Sequence, residues 1–235
     1  MIKNEQLIIR FVNTRYTLQI NYLIINLKTI EKMKKSLLFA FVCILILASC
    51  SNAKPVKSIE NLKAGIKGET TASAKYAAFA EKAKTEGHDT IAKLFDAASK
   101  SEGIHAANHR KVLESLGEKM EDFKPEFEVK TTKENLQAAI EGETYETKTM
   151  YPQFLADAKT EKVEKATKSF TWAFDTELKH LTFYQKALIA LESKTEKSLP
   201  FEYAVCPVCG NTYDYAKVDE KCAFCGTPKE KFLKV

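Results

Sequence analysis

The chain has 235 residues, 45% of them apolar, enough for one medium domain and a small companion. Its formal charge of +5 lies in the first 49 residues, where seven basic side chains face two acidic ones; from Cys50 onward 29 basic residues balance 29 acidic ones. A neutral body removes the electrostatic ground for nucleic-acid binding, and that function class is excluded.

Met33-Lys34-Lys35, the apolar run Leu37 to Ala48 and the small residue before Cys50 follow the order of a secretory leader. Twelve apolar residues are too few to span a bilayer, which takes about 20. Leu47-Ala48-Ser49-Cys50 resembles the lipobox of bacterial lipoproteins. That resemblance implies a signal peptide over 33–49, cleavage before Cys50, and acyl chains on its thiol and new amino terminus. More than one acyl chain anchors stably, so the expected location after export is the bacterial cell envelope, lipid-anchored and facing the periplasm. Residues 1–32 show no sustained period and precede a complete leader with its own Met. They are expected to be a non-native extension, with Met33 the true start and 50–57 a linker. Of six cysteines, Cys43 lies in the leader, Cys50 at the lipid site and four near the C-terminus, which leaves no pair for a structural disulfide.

From about Val56 to Lys194 the pattern is helical. One stripe runs Ile59, Leu62, Ile66, Glu69, Tyr76, Ala80; a second runs Ile91, Leu94, Phe95, Ala98, Glu102, His105, Val112. A third runs Leu136, Ile140, Glu143, Thr147, Met150, Phe154, and a fourth Phe170, Ala173, Glu177, His180, Tyr184, Leu188. The halves repeat: Gly68-Glu69-Thr70 returns 74 residues later as Gly142-Glu143-Thr144, and Ala83 to Glu86 returns 75 later as Ala158 to Glu161. Glu102-x-x-His105 returns as Glu177-x-x-His180, also at 75, so the register slips by one residue near Pro152. A duplicated helix hairpin joined by a long crossover predicts a mainly α, antiparallel four-helix bundle over 58–195.

Glu69, Glu102, Glu143 and Glu177 stand on the stripes that should face the core, with His105 and His180 one turn further along. An isolated buried carboxylate costs several kcal/mol, of order 1–3 or more, unless it is paired or coordinated. A single such Glu would be read as a rim residue; four at equivalent places in two repeats, two with His at i+3, point instead to a pair of metal ions. Oxygen and imidazole donors together suit iron or manganese. Tyr76 and Tyr151 lie about two turns beyond Glu69 and Glu143, and spacing leaves open whether they bond a ligand carboxylate or only pack. His88 is expected to be solvated near the second helix start; His109, four residues after His105, is expected to have a surface or packing role, with a place behind the metal ligands as the alternative.

Residues 200–235 change character. Cys206-Pro207-Val208-Cys209 and Cys222-Ala223-Phe224-Cys225 are two knuckles 12 residues apart, giving four thiolates for zinc or a single iron. A segment this short folds on its metal, so a small β/loop domain is expected.

The order Glu69, Glu102-x-x-His105, Glu143-x-x-Glu146, Glu177-x-x-His180 and paired Cys-x-x-Cys knuckles, with Met150-Tyr151-Pro152 after the third-helix glutamates, resembles rubrerythrin over nearly all of 58–235. The resemblance implies a ferritin-like two-iron bundle with a rubredoxin-like tail. It implies ligand roles for Glu69, Glu102, His105, Glu143, Glu146, Glu177 and His180, with Glu146 and His105 alternating on one iron as oxidation state changes. Glu146 has no counterpart in the first half, where Ala72 stands. Tyr76 and Tyr151 match the family tyrosines near the site. The implied activity is hydrogen-peroxide reduction to water, with an iron held by Cys206, Cys209, Cys222 and Cys225 returning electrons, and a head-to-tail homodimer bringing one tail to its partner's centre. Ala223 and Asn211 depart from the usual rubredoxin pattern, which bears on the tail's potential and metal choice. The electron donor is unidentified. The alternative expectation is an iron-binding or ferroxidase protein with a structural zinc tail.

Overall fold

The computed structural model describes residues 31–34 and 54–235; the leader's apolar run and Cys50 lie outside the described residues. Helices α1 (Val56–Thr85), α2 (Asp89–Ser115), α3 (Thr132–Tyr145), α4 (Tyr151–Thr160) and α5 (Glu164–Glu192) build a bundle of two hairpins. The first hairpin is α1 against α2; in the second, α3 and α4 pack along α5. No described helix is long and apolar enough to cross a membrane.

The repeat has a structural use at the helix ends. Glu161 accepts from the Lys57 and Ser58 amides at 3.0 and 2.7 Å, capping α1, while its counterpart Glu86 accepts from the Thr132 amide and hydroxyl at 2.8 and 2.6 Å, capping α3. Each carboxylate satisfies orphan donors of the opposite hairpin and meets the positive end of its helix. The hairpin turns are also equivalent: Gly87 takes φ +86° and Lys162 takes φ +57°. The second turn therefore holds a left-handed conformation without glycine, at a cost on the order of 1 kcal/mol.

The one-residue slip resolves as a π-helical segment, Glu146–Met150, that joins α3 to α4. Pro152 follows in the first turn of α4 and has no N–H to return to the preceding turn. A widened turn absorbs the extra residue without breaking the rod, a device concentrated at functional sites.

Two apolar clusters sandwich a polar layer. Tyr76, Phe79, Phe95 and Tyr184 lie on one side, and Leu62, Ile66, Tyr151, Phe154 and Phe170 on the other. Each large side chain buried there contributes roughly 1.5–3 kcal/mol, which lets the bundle tolerate charged groups between them.

The tail forms a three-stranded antiparallel sheet in the order β2-β1-β3, from β1 (Tyr203–Val205), β2 (Thr212–Asp214) and β3 (Leu233–Lys234). Gly210 and Gly226 close the two knuckles at φ +84° and +74°, where a side chain would be strained. Bundle and tail together make one compact unit from Pro55 to Val235. His88 differs from its expectation: it is half-buried, with Nδ1 2.9 Å from a Glu196 oxygen, because the segment after α5 folds back over it.

Candidate metal centre

Glu69 from α1, Glu102 and His105 from α2, Glu143 from α3, and Glu177 and His180 from α5 meet in the polar layer, each at most 1% exposed. They form two overlapping groups: Glu69, Glu102, His105 and Glu177 in one, Glu102, Glu143, Glu177 and His180 in the other. Glu102 and Glu177 belong to both, the positions from which a carboxylate would serve two ions at once. His105 Nδ1 lies 3.0 Å from Glu102 and 2.9 Å from Glu177; His180 Nδ1 lies 2.7 Å from Glu177 and 3.1 Å from Glu102. Both rings thus turn Nδ1 to the carboxylates. Glu146 is half-buried at the start of the π segment, outside both groups but close enough for the charges of Glu69 and Glu143 to act on it.

The donor chemistry fits a pair of cations. One oxygen each of Glu69, Glu102, Glu143 and Glu177 is buried without a hydrogen bond among the described residues; those of Glu177 and Glu102 face only the Nδ1 atoms of His105 and His180, as ion-pair contacts at 2.9 and 3.1 Å. Orphaned acceptors cost about 1–3 kcal/mol apiece, and more when charged, so four together need positive charge. Burial and then the charge of Glu102 push Glu69 up to about 8. Burial, followed by Glu177 and Glu102, pushes Glu143 well above the carboxylate range. Burial opposes ionisation of Glu102 too, but the imidazoliums of His180 and His105 outweigh it and hold its pKa low.

The tyrosines bond across the repeat. Tyr76 donates to Glu143 Oε1 at 2.7 Å and Tyr151 donates to Glu69 Oε1, so each half supplies the hydroxyl for the other half's glutamate. Burial keeps both phenols well above their ordinary pKa, and they remain donors.

The four tail sulfurs lie within 4.8 Å of one another, with Cys206–Cys225 and Cys209–Cys222 at 3.4 Å. Tetrahedral metal–sulfur bonds of about 2.3 Å put sulfurs roughly 3.8 Å apart, so the cage fits one ion. It sits directly on the bundle of its own chain. Ser101 Oγ donates to the Gly210 carbonyl at 2.6 Å, and Thr212 Oγ1 lies 2.8 Å from His180 Nε2. A Cβ on Gly210 would fall 2.3 Å from His105 Nε2, so only glycine lets this knuckle touch the ring.

Comparison with known proteins agrees with this geometry. The rubrerythrin family model matches residues 60–188, more than half of the chain. The chain belongs to the rubrerythrin family. Rubrerythrin-2 of Clostridium acetobutylicum is 32% identical over 182 residues, covering 77% of this chain and 98% of that protein. Nigerythrin of Nitratidesulfovibrio vulgaris is 36% identical over 184 residues, covering 74% and 85%. A solved structure of nigerythrin in a mixed-valence state superposes with a TM-score of 0.68 at 34% identity, covering 76% of this chain and 86% of that one. A bacterioferritin of Desulfovibrio desulfuricans, at 19% identity and a TM-score of 0.56, shares the fold alone.

Within this rubrerythrin-family site, three contributions escape the sequence pattern. His109 corrects its expectation: it is fully buried and bonds Tyr151 and Ser169 rather than facing solvent or packing passively. Its signal was its place one turn beyond His105 on the same stripe. Thr212 reaches His180 from the tail, which no local pattern could show. Asn211, a departure from the rubredoxin pattern, accepts from Lys179 Nζ at 2.7 Å and donates to the Tyr213 hydroxyl at 2.7 Å, which in turn donates to Cys222 Sγ.

Proposed function

We propose that this protein is a non-haem diiron peroxidase that reduces hydrogen peroxide to water, fed with electrons through an iron in its four-cysteine tail. One observation carries the reading: the cysteine cage is seated against both histidines of a two-cation carboxylate layer, an arrangement that storage of iron does not require. Glu69, Glu102, Glu143, Glu177, His105 and His180 would hold the two irons, with Glu146 at the edge as the additional carboxylate. Bound iron supplies the two electrons of H2O2 + 2 e− + 2 H+ → 2 H2O. Glu102 and Glu177 keep the two positions at a fixed spacing. Tyr76 and Tyr151 donate hydrogen bonds to Glu143 and Glu69, and the apolar clusters above and below exclude water that would screen these charges.

The contacts of the Gly210 knuckle with His105 and of Thr212 with His180 support a relay between a cysteine cage and the carboxylate layer. The head-to-tail homodimer is proposed as the assembly, checked by sedimentation. Location at the cell envelope through a lipid on Cys50, with an electron donor acting there, is likewise proposed; mass analysis of the mature protein tests it.

The deciding experiment reduces the protein without oxygen and adds stoichiometric peroxide. Three irons per chain, a thiolate–iron chromophore and rapid oxidation of both sites, lost in Glu102→Ala, support the reading. Two irons with one zinc, and oxidation by oxygen in preference to peroxide, would favour a ferroxidase with a structural tail.

A further inference from the structure

The two halves of the polar layer are related by the repeat, yet their surroundings are not equivalent. At the offset of 75, Tyr184 takes the place of His109. Both are fully buried, but the Tyr184 hydroxyl has no hydrogen-bond partner among the described residues, whereas His109 is bonded at both ring nitrogens. Nδ1 lies 2.7 Å from Ser169 Oγ and Nε2 lies 3.1 Å from the Tyr151 hydroxyl, which donates to Glu69.

The backbone is also cut to fit this ring. A Cβ on Gly65 would meet His109 Cδ2 at 3.0 Å and Nε2 at 3.4 Å, tighter than carbon atoms normally approach. The repeat places Ala139, with its Cβ, at the corresponding position in the other half. A glycine in mid-helix costs roughly 0.5–1 kcal/mol against alanine, so the notch for His109 is held against helix propensity.

Hydrogen-bond counting fixes the direction. With Glu69 ionised as a ligand, it can only accept, so Tyr151 spends its one proton there. The phenol oxygen must then accept from His109 Nε2–H, and Nδ1 must accept from the Ser169 hydroxyl. We propose that His109 is a positioning residue: as the Nε2–H tautomer it locks the Tyr151 proton onto Glu69, giving that side of the centre, the side of Glu146, a donor chain that the Glu143 side lacks. The chain runs Ser169 to His109 to Tyr151 to Glu69, every member donating toward the metal layer. On the other side Tyr76 donates to Glu143 with no hydrogen bond donated to it among the described residues, and Tyr184 approaches only as a ring, 5.5 Å away between centroids. Peroxide reduction draws two protons, and this asymmetry makes the Glu69 side the one prepared to present them.

The tautomer stands on geometry alone; its effect on rate rests on the peroxidase reading. Two measurements separate these. The first is nitrogen-15 histidine NMR on protein loaded with zinc in both sites, which reads the His109 tautomer directly. Protonated Nε2 with bare Nδ1 is expected, and the reverse tautomer overturns the proposal. The second is stopped-flow oxidation of the iron-loaded, reduced protein by peroxide. His109→Phe is expected to slow oxidation about tenfold, the loss that goes with one buried hydrogen bond. Its metal content should match wild type, and His109→Gln, which keeps a donor, should recover most of the rate. Gly65→Ala, which displaces the ring without removing it, should slow oxidation in the same direction. Equal rates for wild type, His109→Phe and Gly65→Ala overturn the catalytic role. A wild type that ignores peroxide overturns the peroxidase reading and leaves the NMR result to decide the tautomer.

Discussion

Removing the metal from this centre leaves charges that protons must replace, and the exchange can be counted. Burial works against an imidazolium at His105 and at His180, but the surrounding carboxylate oxygens, Glu177 foremost for His105 and Glu102 for His180, outweigh it and raise both well above 6.5. Burial pushes Glu69 up to about 8 and raises Glu143 well above the carboxylate range, so both favour the protonated form in the metal-free protein. Acting as ligands, these two imidazoles and two carboxylates would release their protons when cations enter. Loading both positions at pH 7 should release about four protons per chain, with a further one once Glu146 also becomes a ligand. By linkage, affinity for the pair rises with pH by about four decades per unit between pH 6 and 7, or roughly 5.5 kcal/mol. Anaerobic calorimetry of ferrous iron binding, repeated in buffers of different ionisation enthalpy, measures the number. Release of fewer than about two protons would refute the assignment of these four groups as protonated substitutes for metal.

Other outcomes test separate parts of the structure. Glu86 is held down at about 2, first by the Thr132 hydroxyl and then by Lys82, so its folded value lies below the unfolded 4.5. Its contribution, about 1–2 kcal/mol after allowance for its partly solvated site, is full above pH 5 and lost as pH falls toward 2. Glu86→Gln should remove that acid sensitivity in urea titrations. Thr212→Val takes away the acceptor opposite His180 Nε2 and should weaken metal binding at that position about 10- to 100-fold, with Thr212→Ser restoring it. Tyr184→Phe, which deletes an unpartnered hydroxyl, should leave thermal stability unchanged or slightly raised, whereas Tyr76→Phe strands a Glu143 oxygen and should cost about 1–3 kcal/mol. Lys179→Met removes a half-buried cation beside Asn211 and the Tyr213–Cys222 contact, and in protein loaded with iron at the four cysteines it should lower that site's potential by on the order of tens of millivolts, read by spectroelectrochemistry.

Much of this arrangement is readable along the chain, for a physical reason. A helix returns every third or fourth residue to one face, so carboxylates set among Ile66, Phe95 and Phe170 had to enter the apolar interior, and duplication showed that they did so in both hairpins. The cysteine knuckles are equally local, since two residues between ligands and a glycine after them fit one tight turn. The one-residue slip announced an insertion; that it widens a turn beginning at Glu146 depended on the rod staying continuous past Pro152.

Contacts between segments distant in sequence obey no such period. The tyrosines bond crosswise because the hairpins pack antiparallel, and the terminal glutamates cap the opposite hairpin for the same reason. The sequence assigned His109 a surface or packing role over a place behind the ligands, and its partners Tyr151 and Ser169, 42 and 60 residues away, meet it only in the folded bundle. The tail's seat on the histidines came last, decided by a glycine small enough to approach His105 and a threonine aligned with His180. Local periodicity determined which groups are buried; the packing of whole helices and the docking of the tail determined which hydrogen bonds those groups make.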